Sequence, residues 1–159
     1  MPIIGRRRLT GIFVRGAALA AALGAGTAKG AEEEETPFTR LAKLATYLSQ
    51  NSVPEALACF DPKMKDYALI EANIGALGAQ TDVLCAIDVI EEKAVVQEKG
   101  EGDQRKLDTD WYVELRSQAD GGPVERRRER VQIEMKKSSN AWKIVALAPV
   151  SILDPIHIR

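Results

Sequence analysis

The sequence predicts an α+β domain, three helices followed by a five-stranded antiparallel sheet, behind a removable leader. Two observations carry the fold class. Apolar residues recur at three- and four-residue steps between Phe38 and Leu77, and from Thr81 onward the period falls to two. A third observation sets the compartment: Arg6, Arg7, Arg8 and Arg15 precede an uninterrupted run of small and apolar residues, Gly16 to Ala28.

That charge-then-apolar order is the pattern of a signal peptide. The apolar run is 13 residues, whereas a helix needs roughly 20 to cross the hydrocarbon core, so a permanent anchor is the weaker reading. Small residues at Gly26, Ala28 and Gly30 offer cleavage sites, which places the mature start between Lys29 and Glu32 and assigns residues 1–31 to the leader. The predicted localisation is periplasmic or secreted. The Arg6-Arg7-Arg8-Leu9 stretch resembles a twin-arginine export signal, and the general secretion route stays open beside it.

Glu32 to Glu35 read as an acidic tether at residues 32–35, and the domain is expected over 36–154 with a short tail at 155–159. Thr36-Pro37 is an N-cap followed by a first-turn proline, so the first helix starts there. Its stripe is Phe38, Leu41, Leu44, Ala45 and Leu48, and it fades at Ser49 to Ser52. Pro54 opens a second short helix through Phe60, stopped at Asp61-Pro62, and Tyr67, Ile70, Ile74 and Leu77 mark a third. Gly75 and Gly78 weaken that helix and point to close approach of a sheet or to a partly frayed end.

Five strands are expected next. Val83, Cys85, Ile87 and Val89 alternate in the first, and Ala94 to Glu98 forms a second after a turn at Glu91 to Lys93. Past a turn at Gly100 to Asp103, Leu107, Thr109, Trp111, Val113 and Leu115 share one face of the third. Gln118 to Pro123 reverses the chain into a strand with Val131, Ile133 and Met135 inward. The last, Ala141 to Ile152, is apolar on both faces and reads as a central strand.

Alternation also fixes the register of the charged hairpin. The inward rows are odd-numbered on both strands, which sets Asp110, Tyr112 and Glu114 opposite Arg126, Arg128 and Arg130 on a self-neutralising outer face. Arg127 and Glu129 are on the inward row, either as polar groups of a pocket or at a bulged, solvated rim. His157 reads as a surface residue in the tail. Cys59 and Cys85, in apolar surroundings and an oxidising compartment, are free thiols or one disulfide. Neither has the His or acidic neighbours that a metal site needs, so no metal or cofactor is expected.

Without residues 1–31 the chain keeps 17 Lys+Arg against 23 Asp+Glu, a net charge of −6, because the leader takes five basic residues and no acid. An acidic surface repels phosphate backbones, so nucleic acid is not expected as a partner. With about 128 residues the mature chain can bury one core.

The segments ALACFDPKMKDYALI, linking helices, and AWKIVALAPVSIL, closing the sheet, resemble the nuclear transport factor 2-like superfamily over about Thr36 to Leu153. Its SnoaL-like and ketosteroid-isomerase-shaped members are the nearest shape. The resemblance implies a cystatin-like cone, helices packed on a strongly curved sheet with a pocket between, and pairing of two chains through the outer sheet face. Tyr47, Phe60, Tyr67, Trp111 and Arg127 are the expected pocket-lining residues, and the expected ligand is small and apolar. Tyr47, Tyr67, Asp88 and Glu129 are of the residue types that isomerase members use, but their spacing matches no motif, so no catalytic residue is assigned. The leading expectation is a non-catalytic ligand-binding domain. The alternatives are a small-molecule isomerase or lyase, which requires a pocket carboxylate or Tyr with a strongly shifted pKa, and an envelope interaction module.

Overall fold

A computed structural model describes residues 34–96 and 102–157. The expected leader, the start of the tether and the Gly100-Glu101 part of one turn lie outside the described residues. The chain divides into two units, Met1–Glu34 and Glu35–Arg159, of which the second is the domain.

Helix α1 (Pro37–Ser49) begins as its sequence dictates. Thr36 accepts from the Thr39 backbone N–H at 3.2 Å, and the Thr36 N–H donates to the Thr39 hydroxyl at 2.9 Å, closing a reciprocal cap over Pro37. Its buried face is Leu41, Leu44, Ala45 and Leu48. Helix α2 (Val53–Leu57) is shorter than expected. It unwinds before Cys59 and Phe60, because Phe60 is drawn into a parallel bridge with Ile144. Helix α3 (Tyr67–Gln80) runs into the sheet without a loop, and the Thr81 hydroxyl donates back to the Leu77 carbonyl at 2.7 Å. No helix among the described residues is long and apolar enough to cross a membrane.

Among the described residues the sheet has four strands, not five, in the antiparallel order β1 (Thr81–Ala94), β2 (Gln104–Ser117), β3 (Val124–Ser138) and β4 (Ala141–Ala148). The expected second strand, Ala94 to Glu98, is not a separate strand: β1 runs on to Ala94, Val95 and Val96 lie beyond it, and Gln97 and Glu98 lie outside the described residues. A bulge between Val89 and Glu91 absorbs the break in alternation, and Glu91, Glu92 and Lys93 pair onward with Asp108, Leu107 and Lys106 instead of turning.

The last strand is also corrected. It sits at the sheet's edge and stops at Ala148, before Pro149, and the rest of the apolar run forms a 3-10 turn, Val150–Leu153. The exposed edge of β4 is occupied by the α2–α3 link: the Ile144 N–H donates to the Cys59 carbonyl at 2.9 Å, and the Asp61 N–H donates to the Ile144 carbonyl at 2.8 Å.

Register between β2 and β3 is the expected one, with Asp110 opposite Arg130, Tyr112 opposite Arg128 and Glu114 opposite Arg126. The odd row of β2, from Leu107 to Leu115, is buried, as are Val131, Ile133 and Met135 of β3. With the buried faces of α1 and α3 they form a single core between the helices and the sheet.

Candidate functional site

At the centre of the buried row of β2 Trp111 is fully buried, and its indole N–H donates to the Thr109 hydroxyl at 2.9 Å. Thr109, equally buried, donates in turn to the Val131 carbonyl at 2.7 Å. Every polar group of this short relay is therefore satisfied inside the apolar core. Phe60 is 1% exposed and packs in the same core. Trp111 and Phe60, both expected on a pocket wall, are therefore packed core residues in this structure.

Arg127 leaves the inward row of β3 opposite Val113 and turns toward the C-terminus. Its side chain is 10% exposed. Nε donates to Glu125 at 2.7 Å, Nη2 to the Pro155 carbonyl at 3.2 Å, and Nη1 to the carbonyls of Ile152, at 3.2 Å, and Asp154. Ile152, Leu153 and Ile156 are buried, so the expected tail is in part a strap folded into the core. Asn73 of α3, buried, holds its other side through Nδ2, which donates to Asp154 Oδ1 at 3.2 Å. His157 is exposed.

Tyr47 belongs to a different place. With Asn51, Val53, Ile74, Gly78 and Val83 it lines a hollow of about 10 Å³ among the three helices and the start of β1, room for about one water. Asn51 adopts a left-handed φ of 54° there, donates from Nδ2 to the Thr81 carbonyl at 3.2 Å and leaves Oδ1 buried without a partner. Tyr67 is half-buried against the core. The five expected lining residues are thus spread over the core, the helical hollow and the strap, and no one of the hollows described gathers them.

Glu35, expected in a loose tether, is bound. Its carboxylate accepts from the Trp142 backbone N–H at 3.1 Å, Arg40 at 2.9 Å and Lys43 at 3.2 Å, and its carbonyl accepts the Trp142 indole N–H at 2.9 Å. Burial opposes its ionisation, but the Trp142 N–H, Lys43 and Arg40 together hold its pKa below the ordinary glutamate value. Asp110 is lowered chiefly by Arg128, Glu114 by the Tyr112 hydroxyl and Arg126, and Glu125 by Arg127. Each of these four carboxylates is thus lowered by the hydrogen bonds and ion pairs it makes.

Cys59 and Cys85 are buried free thiols, which decides between the two expectations. Burial pushes Cys85 up to about 12. Burial also raises Cys59, against the pull of the Arg40 guanidinium 4.0 Å from its sulfur. No group of His, Cys, Asp and Glu among the described residues is arranged to hold a metal.

On the outer face Arg126 pairs with Glu114 at 3.0 Å, Arg128 with Asp110 at 2.7 Å and Arg130 with Asp108 at 2.8 Å. The last two pairs are diagonal, two residues along from the facing residue. Sequence reasoning missed Asn73, the strap and the docking of Glu35. The one visible signal was that the apolar run Val150 to Leu153 continues past Pro149, where a strand could not.

No protein-family model and no curated protein matches the sequence. Solved structures do. A conserved protein from Planctomyces limnophilus superposes with a TM-score of 0.56 at 10% identity, over 69% of this chain and 88% of that one. A candidate scytalone dehydratase from Novosphingobium aromaticivorans gives 0.54 at 10% identity, over 69% and 76%. A ketosteroid isomerase-like protein from Erwinia carotovora atroseptica gives 0.53 at 13% identity, over 73% and 93%. The chain has the nuclear transport factor 2-like fold. Identities this low define the fold and carry no activity across.

Proposed function

We propose that this is an exported, non-catalytic domain that binds a small apolar ligand on the concave side of its sheet. The observation that carries the reading is Arg127, a nearly buried guanidinium on the inward row of β3, whose hydrogen bonds go mainly to backbone carbonyls of the C-terminal segment. Buried charge costs free energy unless it is matched, and such groups concentrate where ligands are oriented. The structural neighbours named for ketosteroid isomerase and scytalone dehydratase make a pocket-bearing domain the natural frame.

Export follows from the leader pattern at residues 1–31, with the periplasm or the medium as destination. Two copies pair through the outer sheet face, where Leu84 stands 55% exposed among the neutralised charges. The test is a native mass spectrum of the protein recovered from an exported fraction. It is expected to show a chain starting between Lys29 and Glu32, twice the monomer mass and a retained small molecule. An unprocessed chain overturns export, a monomer overturns the pairing, and a processed chain to which no apolar compound binds overturns the pocket.

A further inference from the structure

The strap Val150–His157 is attached in an unusual way. Beyond Ala148 it joins no strand ladder and is tied to the body through side chains: Arg127 to three of its carbonyls, Asn73 to Asp154, and Glu125 to the His157 N–H. Its apolar side chains Ile152, Leu153 and Ile156 are 0%, 1% and 6% exposed. Arg127 therefore spends most of a planar, charged fork on neutral carbonyls, although the acceptor that best matches that fork is a carboxylate. Its one carboxylate partner, Glu125, takes only the Nε edge.

We propose that the strap is a built-in occupant of the ligand site, displaced by a small molecule that joins an apolar body to a carboxylate. The apolar body takes the space of Ile152, Leu153 and Ile156, and the carboxylate takes the guanidinium of Arg127. This rests on the pocket reading above and adds to it the class of ligand and the device that governs access. A neutral ligand of the same shape would release the strap and leave buried N–H groups unpaired, which selects for the anion. The strap also sets affinity, because a site open for only a fraction of the time binds more weakly by that fraction.

Octanoate, with octan-1-ol as its neutral counterpart, tests this on the mature full-length chain. Octanoate is expected to accelerate amide hydrogen exchange across Val150–Ile156 while β2 and β3 stay protected, and to bind at least about tenfold more tightly than octan-1-ol. Arg127→Met should abolish that preference. Ile156→Ala, which loosens the strap, should tighten octanoate about tenfold. Should either variant fail to fold, exchange in the unmodified chain still decides. Octanoate bound with strap exchange unchanged overturns this inference and leaves the pocket reading standing, as does equal affinity for the two probes. Failure of both probes to bind overturns the two readings together.

Discussion

Thr109 does two jobs with one hydroxyl, accepting from Trp111 and donating to the Val131 carbonyl in a part of the core that water does not reach. Thr109→Val keeps the shape and strands the indole N–H. We expect a loss of about 1–3 kcal/mol, the cost of one buried donor without a partner, read as a lower urea midpoint at unchanged slope. The two glycines of α3 should behave in opposite ways. A Cβ on Gly75 meets nothing within 4 Å, so Gly75→Ala should stabilise by about 0.5–1 kcal/mol through helix propensity alone. At Gly78 a Cβ would stand 2.6 Å from Cγ2 of Val53, a stiff β-branched side chain, so Gly78→Ala should destabilise by about 1–3 kcal/mol. Thermal melts of the two variants check this. The close approach at Gly78 is made by Val53 of α2 and not by the sheet that the sequence suggests, and at Gly75 there is none. The inward direction of Arg127 was legible from alternation, but its partners were not, because backbone carbonyls 25 or more residues away leave no trace in a local pattern.

Elements whose ends are set by local chemistry were readable. The start of α1 is an example, since Thr36, Pro37 and Thr39 suffice to build its cap. Elements whose limits depend on distant partners were not. Glu91 to Lys93 resemble a turn in composition, and only pairing with β2 keeps them in the strand. The apolar length of Ala141 to Ile152 looked like a central strand because it serves two roles in succession, an edge strand and then a strap. Glu35 is the same lesson at the N-terminus: it resembles the acids before it, and what separates it is Trp142, 107 residues on. That link titrates. A group whose pKa is lowered by folding contributes stability above its unfolded value and loses it as pH falls through the folded one. Glu35→Gln should therefore lower the melting temperature at neutral pH, by on the order of 1 kcal/mol of stability, with the gap to the unmodified protein closing as acid protonates Glu35. Melting curves from neutral to acid pH for both proteins measure it.

Across the whole molecule the pattern of polarity carried the fold class, because a two-residue period and a helical period bury surface in only a few compatible arrangements. It carried the outer face as well: three arginines and three acids on neighbouring strands neutralise one another, as the odd-numbered inward rows required. The candidate site was less legible. Aromatic residues such as Phe60 and Trp111 have the same sequence signature whether they wall a cavity or fill a core, and here they fill one.

The charged end of β1 has a consequence for how copies of this chain meet at high concentration. One margin of the sheet, β4, is sealed by Cys59 and Asp61, whereas β1 forms the opposite margin. There Glu91, Glu92 and Lys93 lie exposed beyond a bulge, with Ile90 half-uncovered. Charges and a kink at a strand margin resist the edge-to-edge pairing that seeds fibrils. Replacing Glu91 and Glu92 with Val should leave the melting temperature nearly unchanged and make concentrated solutions scatter light within hours. The residues that most resemble a turn would then be what keeps this chain from aggregating.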